Sequence, residues 1–299
     1  MDLSIIIINY KTKDLTIQTL DSVFKAKEPK GRIEVILIDN GSKDDTPAAV
    51  RKFFKQVKII ESQTNLGFAA GNNLGLRKAK GKYVLLLNSD TIIEKDTLVK
   101  MVDFMDKNQD VGLSTCRVNL FHGGIDPASH RGFPTPWASF TYFLKFEKLF
   151  PKSKLFAHYH QGWKNLKNTH EIDSPVGAFF MLNKKALNQV GLLDEAYFMY
   201  GEDIDLAYRI KKAGWKIVYT PITRIVHLKG ASGLKKKIKD KLTPEAKKLR
   251  IKTTASFFDT MKIFYNKHYN KKYLLPLKWL VFPGIDFIKF IRILKIKLF

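Results

Sequence analysis

One cysteine, Cys116, stands among 299 residues. A lone thiol excludes an internal disulfide and fits a reducing compartment. Long apolar runs are missing, since no stretch is apolar for the roughly 18 residues that a membrane-spanning helix needs. A secretory leader is not expected, because Met1-Asp2 leads directly into the strand-like Leu3-Ser4-Ile5-Ile6-Ile7-Ile8. Two common phosphate-binding motifs are absent as well. Gly67 and Gly71 do not have dinucleotide-fingerprint spacing, and no Gly-Lys-Ser/Thr loop occurs. Acid is scarce: 28 Asp and Glu face 52 Lys and Arg, a net charge of +24. That excess predicts an anionic partner, whether nucleic acid, a phospholipid surface or a phosphorylated substrate. Its densest runs, Lys235 to Lys241 and Lys247 to Lys252, lie toward the C-terminus. These runs carry few aromatics and no nucleic-acid module is recognisable, so nucleic acid is not the expected partner.

What is present is a core. Hydrophobic residues make up 45% of the chain, as in a globular protein. Apolar strand candidates at Leu3 to Ile8, Ile33 to Ile38, Val57 to Ile60, Tyr83 to Leu87 and Val111 to Thr115 alternate with helical patterns. The helices fall at Asp14 to Lys25, Thr46 to Lys55, Gly67 to Ala79 and Lys95 to Lys107. Continuous apolar strands separated by helices predict an α/β fold with a mostly parallel sheet covered on both faces. Ligands bind such sheets beyond the carboxyl ends of the strands.

The residues at those ends are polar. Asn9-Tyr10 follows the first strand, Asp39-Asn40-Gly41-Ser42 the second, Asn65 to Asn73 the third and Asn88-Ser89-Asp90 the fourth. Each alone is ordinary turn chemistry. Four in register predict a pocket. Gly67 and Gly71 permit close backbone approach at a helix start, which suits an anion. From Asn119 to Glu171 the chain is irregular and aromatic, with one helix expected over Trp137 to Phe150. Regular structure resumes at Ser174 to Leu182, and a last strand is expected at Lys216 to Tyr219.

Gly201-Glu202-Asp203-Ile204-Asp205 packs three carboxylates into four residues at a predicted helix start. The helix dipole favours acids there in their ionised form. A carboxylate so placed beside a cleft serves as a general base, although capping acids alone would give the same pattern. Glu202 and Asp203 point about 100° apart on a helix, so the two cannot serve one proton equally. Asp205 and Arg209 form an i,i+4 pair that orients the helix. Beyond Gly284, Phe287, Phe290, Ile291, Leu294 and Leu298 share one helical face, with Lys and Arg elsewhere. That is the profile of a helix lying on an anionic membrane surface, or of one docked on the protein itself.

Together, the strand-end residues, Asn88-Ser89-Asp90, the acidic run and His227 resemble the inverting family 2 glycosyltransferases of GT-A fold, over roughly Leu3 to Gly233. Asn9-Tyr10, Asp39 to Ser42, Asn65 to Asn73, Arg131-Gly132-Phe133-Pro134 and Gly201 to Arg209 are most similar to the bacterial rhamnosyltransferase branch. The resemblance implies residues 1–233 as the transferase domain and 234–299 as a basic helical appendage. It implies a dTDP- or UDP-sugar donor, rhamnose foremost, with galactofuranose, GlcNAc or glucose as alternatives. It implies Asp203 as catalytic base. Asp90 and His227 become the protein ligands of a Mn²⁺ or Mg²⁺ ion, although Asn88 replaces the first carboxylate of the usual pair. Asp39 would accept from the imide N–H of uracil or thymine, and Asn9, Ser42, Asn65, Gly67, Asn72 and Asn88 would help hold the donor. Glu202 and Asp205 are the rival bases, Asp205 being read as structural or acceptor-binding, and Glu202, Asp205, Arg131 and Gly177 fall to acceptor or other roles. The acceptor is expected to be a glycan, free or on a polyprenyl diphosphate, met at the cytoplasmic face of the cell membrane. A nucleic-acid-binding or inactive assembly role is the non-enzymatic alternative.

Overall fold

The computed structural model describes residues 2–228 and 244–298. The basic run Lys235 to Lys241 and the expected domain boundary at 233/234 lie outside the described residues. Strands Leu3–Asn9 (β1), Ile33–Asp39 (β2), Lys58–Glu61 (β3), Tyr83–Asn88 (β4), Thr91–Ile93 (β5), Val111–Leu120 (β6), His170–Glu171 (β7), Phe179–Asn183 (β8) and Lys216–His227 (β9) form one sheet. Its order is β3-β2-β1-β4-β8-β6-β9-β5, with β7 paired to β9. The first half, β3 to β4, is parallel. Beyond it β8 runs antiparallel to both β4 and β6, while β6 and β9 are parallel to each other. The sheet is therefore mixed.

Helices Lys13–Lys25 (α1), Thr46–Phe53 (α2), Phe68–Lys78 (α3), Thr97–Lys107 (α4), Pro136–Phe143 (α5), Phe146–Leu149 (α6), Lys184–Val190 (α7), Glu202–Lys212 (α8), Pro244–Phe264 (α9) and Leu275–Leu298 (α10) accompany it. β1 buries side chains on both faces. Leu3, Ile5 and Ile7 join Leu20 and Met101 in one core cluster, and Ile6 joins Leu76 and Leu206 in another. Burial on both faces is why these strands read as unbroken apolar runs.

Two elements differ from expectation for local reasons. The aromatic segment after Trp137 is two short helices, because Leu144 ends α5 and Lys145 takes a left-handed φ of +62°. The last strand runs past Tyr219 to His227. Pro221 lies in a register shift between the Cys116–Thr220 and Arg117–Arg224 pairs, where its missing N–H costs no ladder bond. Gly67 begins α3 at φ +87°, and a Cβ there would lie 2.4 Å from the Phe198 carbonyl oxygen. Its close approach is thus to the segment that precedes α8, and Gly71 makes a similar approach to Ile8.

The C-terminal helices pack on the body of the protein. Tyr197, Phe264, Tyr265 and Tyr269 form a third buried cluster, joined by Ile204 and Tyr208 of α8 and by Val281 and Phe282 of α10.

Candidate active site

Register explains why the polar segments meet. Asn9 pairs with Asp39, Asp39 with Glu61, and Ile8 with Asn88, so four carboxyl ends share one edge. The Asn88 N–H donates to the Ala178 carbonyl, which brings Gly177 to the same edge. The Phe68 N–H donates to the Phe198 carbonyl (2.7 Å) and brings the entry to α8 beside the start of α3.

On the β1–β2 side Asn9 is a buried hub. Its Nδ2 donates to Asp39 Oδ1 (2.7 Å) and Ser42 Oγ (2.9 Å). Its Oδ1 accepts from the Thr12 N–H and from the Thr12 and Thr16 hydroxyls. Asn9 therefore orients Asp39 and has little capacity left for a ligand. Asp39 also accepts from the Ser42 N–H, and borders a cavity of about 510 Å³ lined by Lys43, Glu61, Ser62, Gln63 and Thr64. Asn65 is held by Asn40, whose Nδ2 also donates to the Gly67 carbonyl. Asn72 bonds back to Phe68 within α3. Asn88 makes no side-chain hydrogen bond among the described residues. Asn40 and Asn73 were hidden inside longer polar runs. Asn73 clamps Leu193 and Glu195, tying α3 to the turn before α8.

Asp90 and His227 meet because Thr91 pairs with His227 across β5 and β9. His227 Nε2 lies 3.2 Å from Asp90 Oδ1, and its Nδ1 lies 3.4 Å from Asp126 Oδ2. Burial works against a charged imidazole, but Asp126 and Asp90 more than offset it, so the His227 pKa is raised. Asp126 belongs to the turn-like segment Gly123-Gly124-Ile125-Asp126-Pro127. Here it caps a short 3-10 turn, and its carboxylate lies on the Nδ1 side of the ring, where a carboxylate commonly supports a metal-bound histidine. No group of three or more His, Cys, Asp or Glu side chains suited to a metal occurs among the described residues. One carboxylate and one imidazole nonetheless fit a cation that keeps waters and substrate phosphates as its other ligands.

The three acids of α8 have separate surroundings. Asp203 Oδ2 accepts from Arg131 Nη2 at 2.6 Å, in a pair that is almost fully buried. Arg131 is fixed by backbone bonds to Ser174 and by donation to the Pro175 carbonyl. Burial opposes its charge, but Asp203 more than offsets this and holds the guanidinium protonated. Glu202 is also buried, and its Oε2 has no hydrogen-bond partner among the described residues. Burial, and then the charge of Asp203, push its pKa well above the usual carboxylate range. Asp205 is fully buried and faces inward to Arg209 Nε (2.9 Å), His268 Nε2 (2.7 Å) and Lys267 Nζ (2.8 Å). Asp205 thus anchors α8 to the turn after α9. Gly177 lies beside the Phe68 ring.

The family model of glycosyl transferase family 2 matches residues 4–191, well over half of the chain. The chain belongs to glycosyl transferase family 2. This family 2 enzyme is 26% identical over 215 residues to the N-acetylglucosaminyl-diphospho-decaprenol L-rhamnosyltransferase of Mycobacterium tuberculosis, covering 67% of this chain and 68% of that one. Its fold is similar to GalNAc-T7 solved with UDP, GalNAc and Mn²⁺ (TM-score 0.57, 18% identity), over 76% of this chain and 44% of that one. It is also similar to a mannosyltransferase from Pyrobaculum calidifontis solved with GDP-Man and Mn²⁺ (TM-score 0.56, 18% identity), over 95% and 79%. The transferase spans less than half the length of GalNAc-T7. It is a glycosyltransferase of GT-A fold.

Proposed function

We propose that the enzyme moves rhamnose from dTDP-rhamnose to a lipid-linked acceptor by one inverting displacement. A UDP-sugar carrying galactofuranose, GlcNAc or glucose is the alternative donor. Two buried pairs support the reading: Asp90–His227 just beyond the end of β4, and Asp203–Arg131 at the start of α8.

Asp39 and the cavity beside it receive the base, and its carboxylate favours a ring that offers an imide N–H. Asn65, Gly67, Asn72 and Asn88 border the path from base to sugar. Asp90 and His227 would hold Mn²⁺ or Mg²⁺, and such an ion supplies positive charge to a leaving diphosphate. Asp203 accepts the proton of the acceptor hydroxyl as that oxygen attacks the anomeric carbon. Arg131 holds one Asp203 oxygen and thereby fixes the direction of the other lone pairs. Glu202, its pKa raised by burial and then by Asp203, is held neutral and does not serve as the base. No glycosyl-enzyme intermediate is required, unlike in retaining glycosidases. The M. tuberculosis relative, by its name, acts on a diphospho-decaprenol acceptor, which supports a polyprenyl diphosphate carrier here. The test is turnover of dTDP-rhamnose and of UDP-sugars with GlcNAc-diphospho-polyprenol. Sugar should pass to the lipid fraction with the anomeric configuration inverted. Absence of turnover with every dTDP- and UDP-sugar would sink the donor assignment.

Residues 1–233 carry this chemistry in the proposal, and the helical region after them serves the membrane side. Among the described residues no helix is long and apolar enough to cross a membrane. On α10, Phe287 and Phe290 are more than 60% exposed, and Leu294 and Leu298 extend the same apolar face. An apolar face on a basic helix binds an anionic membrane surface, at the cytoplasmic side where nucleotide sugars are made available. Phe287→Glu with Phe290→Glu should lower binding to phosphatidylglycerol liposomes at least tenfold. Equal sedimentation of the variant with the liposomes would exclude this surface.

A further inference from the structure

A second cavity, about 550 Å³, lies between α5–α6, α9 and α10. Its wall is aromatic, with Tyr142, Phe143 and Phe257, and its cations are Lys145, Lys148 and Arg292. None of those three cations forms an ion pair among the described residues. The one acid in the lining, Glu147, is already taken by His160 Nδ1 at 2.9 Å. Arg292 lies near enough to the half-buried Tyr142 for its charge to act on the phenol. Uncompensated cations beside aromatic walls match a ligand that joins an anion to an apolar chain.

Position narrows the ligand further. Tyr200 lines this cavity, with its ring edge-on to Phe257 at 5.7 Å. Gly201 follows, packed near Thr260 of α9, and Asp203 comes three residues after Tyr200. Three residues span at most about 11 Å. The Tyr200 wall of the cavity thus leads directly into the helix turn that carries Asp203. On α10, Arg292 stands on the side of the helix opposite Phe290 and Leu294, so Arg292 serves the cavity while the exposed apolar face is turned away from it.

We propose that this cavity holds the diphosphate and first apolar segment of a lipid-linked acceptor. The proposal rests on the transferase reading above and adds where the acceptor sits. Farnesyl diphosphate is the probe, titrated calorimetrically into the full chain in EDTA, with dTDP and UDP thermal shifts in Mn²⁺ measured in parallel. The wild type should bind the probe at least tenfold more tightly than it binds farnesol, inorganic diphosphate or dihexanoyl phosphatidylglycerol. Lys148→Ala with Arg292→Ala should weaken the probe at least tenfold and leave the nucleotide response unchanged. Undiminished binding by the double variant would overturn the proposal. Equal binding of inorganic diphosphate would reduce the site to one for a free anion, and equal binding of phosphatidylglycerol to one for bilayer lipid. Either result would also overturn the proposal. A nucleotide response without probe binding overturns the cavity alone. Probe binding without any nucleotide response overturns the transferase reading, not the cavity.

Discussion

Asp203→Asn is expected to lower kcat by about 10²–10⁴-fold, the usual range for loss of a general base. The amide keeps the size of the side chain and can still accept from Arg131, but it cannot take a proton. The loss should fall on kcat more than on donor KM, because Asp39 and Asp90 remain in place. Glu202→Gln should cost much less. Glu202 is already held neutral by burial and by its charged neighbour, so an amide changes little there. Single-turnover rates with nucleotide thermal shifts as control separate the two. A Glu202→Gln loss equal to that of Asp203→Asn would move the base to Glu202.

Asp205→Ala should act on stability instead. The carboxylate is fully buried and faces Arg209, His268 and Lys267. Removing it strands the Arg209 and Lys267 charges, and breaking a buried pair in this way costs about 3–5 kcal/mol. The midpoint of thermal unfolding should fall by on the order of 10 °C. Its pH dependence follows from the pKa. Burial would raise the Asp205 pKa, but His268, Lys267 and Arg209 reverse this and hold it at about 2. A folded-state value below the unfolded one stabilises the protein above the unfolded pKa, near 3.8. The gap between wild type and variant should therefore be level at neutral pH and shrink as pH falls from 4 toward 2. Melting curves across that window check it. A gap that stays constant to pH 2 would remove the charge from the explanation.

Much of the sheet was legible because strands buried on both faces are apolar throughout. Asn9, Asp39 and Asn88 stand at strand ends that a parallel α/β pattern brings to one edge. Asp90 and His227 meet only through the antiparallel pairing of β5 with β9, and a three-residue strand leaves almost no periodic signal. Arg131 and Asp203 are 72 residues apart, and their pairing depends on the bridge from Arg131 to Ser174. Asp126 is indistinguishable from turn chemistry until His227 is placed beside it. Lys267 and His268 sit in a basic stretch that reads as solvated surface, yet both reach Asp205. The aromatic residues that bury the C-terminal helices against α8 are spread from Tyr197 to Phe282, too far apart for a local pattern.

In the proposed function, Asp90 and His227 complete the nucleotide-sugar site. This role is tested most directly by thermal unfolding with UDP, dTDP, GDP and ADP, each with and without Mn²⁺, on wild type and Asp90→Asn. Ligand bound only to the folded state raises the midpoint. The wild type should show a Mn²⁺-dependent rise with dTDP or UDP alone, and Asp90→Asn should lose the Mn²⁺ dependence. No rise with any nucleotide, or an equal rise in the variant, would contradict the account.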